Sequence, residues 1–145
     1  MKECHVYIET SIKWPKQGNG IVGIIFTDVS DTYSKTLFGQ VRDSTEHAAV
    51  LIGINRALEY LGSYESIHIH TTSNVGHSFK YLGTWKKNGF LNSKGKEVKH
   101  ADLWKEIAEK TNEKKIEIHM NEFNGYRNWL CNECNIRGRK HGYVL

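Results

Sequence analysis

No stretch of this 145-residue sequence is apolar for long enough to cross a bilayer. The longest apolar-rich run, Ala48 to Ile54, is far short of the roughly 20 residues a spanning helix needs. Met1-Lys2-Glu3-Cys4-His5 lacks the apolar core of a secretory signal. The chain is therefore read as cytoplasmic or nuclear, not secreted, and without a membrane partner. Cysteine is scarce: three, an odd number, argue against a disulfide framework in such a setting. Cys131-Asn132-Glu133-Cys134 is a CxxC that Cys4, His119 or His141 would have to complete as a zinc site. A second CxxC or an HxxxH is lacking, so the pair reads as packing thiols and zinc is not expected. Repeats and low-complexity segments are also missing. With 39% hydrophobic and 25% charged residues, the composition is that of an ordinary globular protein, and the length points to one domain over 1–145.

Positive charge is present and unevenly placed. Between Trp85 and His100 stand Lys86, Lys87, Lys94, Lys96 and Lys99 against a single acid, Glu97, an excess of four that equals the net +4 of the whole chain. Basic residues interleaved with Trp85, Phe90 and Trp104 form the footprint expected of phosphate binding, although a solvated lysine-rich loop has the same composition. Arg137, Arg139 and Lys140 add charge near the end of the sequence.

Periodicity gives the order of elements. Val6-Tyr7-Ile8 begins a strand that ends near Ser11, and Pro15 to Gly20 is rich in turn formers. Ile21 to Val29 reads as a buried strand, Asp28 to Asp31 as a turn, and Thr32 to Val41 as a third strand, together an antiparallel meander. His47, Val50, Leu51, Ile54, Ala57, Leu58 and Leu61 recur with helical spacing after the candidate caps Asp43, Ser44 and Thr45, and Gly62 ends the run. Ser66 to Thr71 alternates as a strand. Asn74 to Leu82 reads as a short helix and Trp85 to Lys99 as an irregular basic excursion. A helix over Ala101 to Lys110 follows, with Leu103, Trp104, Ile107 and Ala108 inward. Lys115 to Met120 is the last strand and Tyr126 to Arg139 the last helix. Three hairpin strands followed by alternating helices and strands imply an α/β fold: a mixed five-stranded sheet flanked by helices, with a basic protrusion at about 83–100.

Several of these segments resemble ribonuclease HI. Glu46-His47-Ala48-Ala49-Val50-Leu51 is similar to the helix that opens on a catalytic Glu in that family. Thr71-Thr72-Ser73 stands where the family has a Thr-Asp-Ser strand end. Trp85-Lys86-Lys87-Asn88-Gly89-Phe90 with Asp102-Leu103-Trp104 resembles its basic protrusion, and Cys134-Asn135 resembles a Cys-Asp pair in its last helix. The resemblance implies hydrolysis of the RNA strand of RNA–DNA hybrids by two Mg²⁺ or Mn²⁺ ions on an Asp-Glu-Asp-Asp set.

The four positions to which the resemblance assigns catalysis are Glu9, Glu46, Thr72 and Asn135, and only the first two are acidic. Glu9 reaches roughly 1 to 1.5 Å further than Asp would. Two divalent ions carry +4 against the −2 of Glu9 and Glu46, so these two residues are expected to hold at most one weakly bound ion. Asp43, Glu122 and Glu133 are candidate replacement acids; on a helix Glu133 is turned about 200° from Asn135. The mobile-loop His of the family has no counterpart in Phe123-Asn124-Gly125-Tyr126.

Arg42 and Thr45 lie where the family cradles a DNA phosphate at a helix N-terminus. With Trp85, Lys86, Lys87, Phe90, Lys94, Lys96 and Lys99 they are the candidate nucleic-acid contacts. Trp104 is read as core. The loop Lys13 to Asn19 replaces a Gly-rich family loop that faces the RNA strand. His68, His70 and His77 are read as solvent-facing or hydrogen-bonded, not as ligands. The expectation is binding to RNA–DNA hybrid or double-stranded RNA with hydrolysis lost or very weak. An active hybrid ribonuclease and a protein-interaction scaffold are the alternatives.

Overall fold

Alternation of apolar and polar residues puts the two sides of the first strand, β1 (Glu3–Thr10), to different uses. The computed structural model describes residues 3–28, 34–122 and 124–140. Cys4, Val6 and Ile8 are buried on one side of β1, while Glu3, His5 and Tyr7 on the other are half-buried. β2 (Gln17–Asp28) pairs antiparallel with β1 and with β3 (Ser34–Thr45). After helix α1 (Glu46–Tyr60) the chain crosses to β4 (Ser66–Thr71), parallel to β1, and later to β5 (Lys115–Met120), parallel to β4. The sheet order is β3-β2-β1-β4-β5, the mixed five-stranded sheet expected from the sequence.

The main core lies between one sheet face and two helices, α1 and α3 (Ala101–Lys110), where Val6, Ile8, Ile24, Leu51, Ile54, Ile67 and Ile107 are almost fully enclosed. The last helix, α4 (Arg127–Lys140), covers β1 and β2 on the opposite face. Two glycines permit these close contacts. A Cβ on Gly53 would fall 2.8 Å from Val22 Cγ2, and one on Gly23 would fall 2.7 Å from Leu130 Cδ1 and 2.8 Å from Cys134 Sγ.

The structure resolves some ambiguities and moves some boundaries. Thr45, one of three candidate caps, accepts a hydrogen bond from Ala48 N at 3.2 Å and starts α1. The expected turn at Gly18-Asn19-Gly20 is part of β2, because the strand continues through a bulge to pair with Ser44 and Thr45. The short helix after β4 is a 3₁₀ helix, Asn74–Tyr81. The basic excursion, expected to be irregular from Trp85, opens instead as helix α2 (Leu82–Asn88), closed by Gly89 in the left-handed region. Val29, the turn residues Ser30 and Asp31, the strand start at Thr32 and Tyr33, and Phe123 and His141 lie outside the described residues. Among the described residues, no helix is long and apolar enough to cross a membrane.

Candidate nucleic-acid interface and carboxylate centre

The protrusion is a built structure. α2 presents Lys86 and Lys87 in its last turn, both exposed. Phe90 N donates to Trp85 O at 2.8 Å, and Val98 N to Phe90 O at 2.9 Å, so the chain returns on itself as a narrow loop. At its tip Asn92 Oδ1 accepts from the backbone N–H groups of Lys94 and Lys96 at 2.9 and 3.0 Å, and Gly95 takes φ +77°. Lys94, Lys96 and Lys99 are exposed, and none of the five lysines makes an ion pair among the described residues.

The aromatic residues anchor this loop. Trp104 is 2% exposed, as the helical pattern predicts, and it meets Trp85 edge-on at 5.3 Å and Phe79 at 5.0 Å. Trp85 is half-buried. Phe90 is buried in the core cluster, with the Lys105 ammonium 5.9 Å from its ring centroid. Phe90 therefore fastens the protrusion to the body of the molecule and offers little surface to a ligand. Arg42 is exposed on β3. Thr45 is engaged as the cap of α1, which leaves its O–H as a donor. Asn19, read from the sequence only as the end of a loop, accepts from Asp43 N at 2.9 Å through its side chain and fixes the strand just before that cap.

The carboxylate centre is differently made. Glu9 is 3% exposed. Its Oε1 accepts from the Thr72 hydroxyl at 2.5 Å and its Oε2 from Thr72 N at 3.1 Å. Burial pushes its pKa above the usual carboxylate value, and the Thr72 bonds only partly offset this. Thr72 and Glu9 are thus brought together, as the sequence reading placed them. Glu46 stands half-buried at the start of α1 and accepts from Trp14 N at 3.4 Å in the loop after β1. Trp14 is exposed and stacks on His47 with centroids 6.1 Å apart.

Asn135 is exposed on α4, whereas Cys131, one helical turn earlier, lies close enough to Glu9 for the two groups to influence each other electrostatically. Cys134 is buried, with its thiol directed at Glu9 O at 3.6 Å. Leu130 and Cys134 both pack on Gly23, so both satisfy the pattern of a buried residue before the fourth position. Burial raises the pKa of Cys131 and pushes that of Cys134 up to about 12, so both remain thiols at neutral pH and bring no charge. Cys4 is buried on the α1 side of β1 and Cys134 on the α4 side, so the three thiols do not converge.

The replacement acids are engaged elsewhere. Glu133 pairs with Arg137 at 3.6 Å, and Glu122 accepts from His119 Nδ1 at 3.0 Å. Asp43 sits in the bulge at φ +48°. Among the described residues, no three His, Cys, Asp or Glu side chains that include Glu9 or Glu46 converge within 4.8 Å. Mg²⁺ demands hard, charged oxygen donors. A buried carboxylate tied at both oxygens, a threonine, a thiol and one further glutamate do not fit a pair of such ions.

The sequence reading also treated the strand histidines singly, whereas the structure stacks them. His5 and His68 rings lie 4.5 Å apart, and His70 lies 4.4 Å from Tyr7 and 4.5 Å from His119. Burial first, and then its histidine neighbours, lower the pKa of His70 to about 3. His77 is exposed.

Comparison with known proteins places this geometry. The family model for RNase H matches residues 1–127, and the chain belongs to that family. A ribonuclease H of Wolbachia sp. subsp. Drosophila simulans is 29% identical over 109 residues, covering 73% of this chain and 72% of the relative. The PFV RNase H domain solved in solution superposes with a TM-score of 0.68 at 23% identity, over 97% of this chain and 94% of that one. A foamy viral protease–reverse transcriptase in complex with an RNA/DNA hybrid gives 0.67 at 19% identity, over 99% of this chain and 20% of that one. The family match ends at residue 127, where α4 begins, so the register of that helix rests on its packing alone.

Proposed function

We propose that this protein binds RNA–DNA hybrid through its lysine-bearing protrusion and has lost, or nearly lost, the ability to cut it. The observation that carries this reading is the contrast at Glu9. Its two carboxylate oxygens are occupied by the hydroxyl and amide of Thr72, in the place where the family has an acid, while the five protrusion lysines face solvent. Lysines held on a rigid loop neutralise phosphates and release counterions, so affinity falls linearly with the logarithm of salt. Arg42 and the N-terminus of α1 supply a second phosphate contact. Capture of a hybrid by a foamy viral relative of the same fold supports the choice of ligand.

The test is fluorescence anisotropy with labelled hybrid, double-stranded RNA and double-stranded DNA across a salt series, together with a gel assay of the same samples in Mg²⁺ and in Mn²⁺. The reading expects hybrid binding with a steep salt slope and no accumulating cleavage. Preference for double-stranded RNA would reassign the ligand. Cutting that Glu46→Gln abolishes would reassign the protein to the active ribonucleases.

A further inference from the structure

The sheet face that carries Glu9 holds a second group of side chains nearer the other end of the strands. The register pairs His5 with His68 and His68 with Glu117, and pairs His70 with His119, so residues of three adjacent strands share this face. His68 Nδ1 lies 3.0 Å from His119 Nε2 and 3.1 Å from Glu117 Oε2, and the latter two atoms are 3.8 Å apart. The far nitrogen of each ring already has a carboxylate partner. Glu3 Oε1 bonds His68 Nε2, and Glu122 Oε2 lies 3.0 Å from His119 Nδ1.

These outer carboxylates fix the tautomers. A neutral imidazole has one N–H, and the carboxylate draws that hydrogen to the nitrogen facing it. His68 Nδ1 and His119 Nε2 are then both lone pairs, and they converge with a carboxylate oxygen. Three acceptors around one point, with no donor among them, repel one another until a cation enters. The spacing suits one. Ligands at 2.0–2.1 Å around a tetrahedral zinc ion are about 3.3 Å apart, close to the observed separations. Carboxylates on the far nitrogens are the usual outer partners of metal-bound histidines.

We propose that His68 Nδ1, His119 Nε2 and Glu117 Oε2 form a site for one divalent transition-metal cation of the zinc class. The fourth position is left to solvent or a small ligand. The side chains of His68, His119 and Glu117 are 12%, 25% and 41% exposed, so an ion reaches them without unfolding. By strand spacing, the site is on the order of 10 Å from Glu9, and it stands independently of hybrid binding. Its structural consequence is to clip the edge strand β5 onto β4.

Isothermal titration of Zn²⁺ into the metal-stripped full-length chain tests the site. The expected result is one ion per chain, bound tighter than about 10 μM, with a rise in melting temperature. His119→Gln should abolish this uptake, and Glu3→Gln, which removes only an outer partner, should weaken it roughly 10- to 100-fold. Affinity should survive Cys131→Ser, and Co²⁺ should give visible d–d bands without a thiolate charge-transfer band. Circular dichroism establishes that each variant is folded. Uptake that persists in a folded His68→Asn/His119→Gln variant, or that disappears with Cys131→Ser, would overturn the proposal. So would failure to bind Zn²⁺ below about 1 mM together with an imidazolium nitrogen resonance from His68 or His119, which would assign the space to a proton.

Discussion

The protrusion and the carboxylate centre sit in one family fold and have fared differently. The protrusion keeps its parts: lysines outward, Trp85 and Phe90 inward, and a loop closed by Asn92 and Gly95. The centre keeps a carboxylate at Glu9 but closes it with Thr72 and lines it with a protonated thiol. A surface lysine needs only exposure and a firm base to attract phosphate. A two-ion centre needs several charges in one small volume, and losing any of them undoes the neutralisation. On the proposed reading, binding outlasts chemistry because the two are built from different segments.

The largest expected change comes from rebuilding the centre. Glu9→Asp/Thr72→Asp/Cys131→Asp should gain Mg²⁺-dependent cleavage of hybrid by roughly 10³-fold or more, read as initial rates on a labelled substrate. The variant that carries Asn135→Asp in place of Cys131→Asp should gain far less, because Asn135 is exposed while Cys131 is half-buried and electrostatically coupled to Glu9. Equal gains would break the assignment of the fourth position.

Next in size is Trp104→Ala. It empties the contact between Trp85, Phe79 and α3, and should lower stability by about 3–5 kcal/mol in denaturant titration. Because the protrusion rests on that contact, hybrid affinity should fall even though no lysine is altered. Replacing Lys86, Lys87, Lys94 and Lys96 with Ala should reduce affinity about 100-fold at low salt and shrink the logarithmic salt slope by roughly 3 to 4. Its melting temperature should hardly move. An unchanged slope would locate the grip elsewhere.

The smallest effect belongs to Glu9→Gln. A carboxyl whose pKa is raised by burial favours the fold most when protonated. That advantage is complete below the unfolded value, near 4.3, and is lost as pH rises through the higher folded value. The glutamine accepts from Thr72 N through its carbonyl oxygen, donates its NH2 to the Thr72 hydroxyl oxygen, and does not ionise. Its melting temperature should exceed that of the parent by a few degrees at neutral pH, and the gap should close below about pH 4.

Much of the fold was legible in the sequence because alternation in Glu3–Thr10 and Ser66–Thr71 and the helical spacing in Glu46–Tyr60 are strong periodic signals. The helix at Leu82–Asn88 was missed because Gly83, Thr84, Lys86 and Lys87 carry little apolar periodicity; Trp85 packs it against the body of the molecule. Within the site, Glu9 was legible because it lies near the end of a strongly alternating strand and Thr72 because it directly follows one. That Cys131 lies near Glu9 was not, because how α4 is rotated on the sheet, with Leu130 and Cys134 against Gly23, is a tertiary fact. The histidine cluster escaped for a related reason. Lys115-Ile116-Glu117-Ile118-His119 alternates plainly, but which strand lies beside it is a tertiary fact.

The central claim is that one molecule grips hybrid and does not cut it. The direct measurement follows a single sample of the full-length protein with labelled RNA–DNA hybrid in Mg²⁺, recording anisotropy first and product on a gel afterwards. The account predicts saturable, salt-sensitive binding with intact substrate. Intact binding accompanied by turnover that disappears in Glu46→Gln would contradict it.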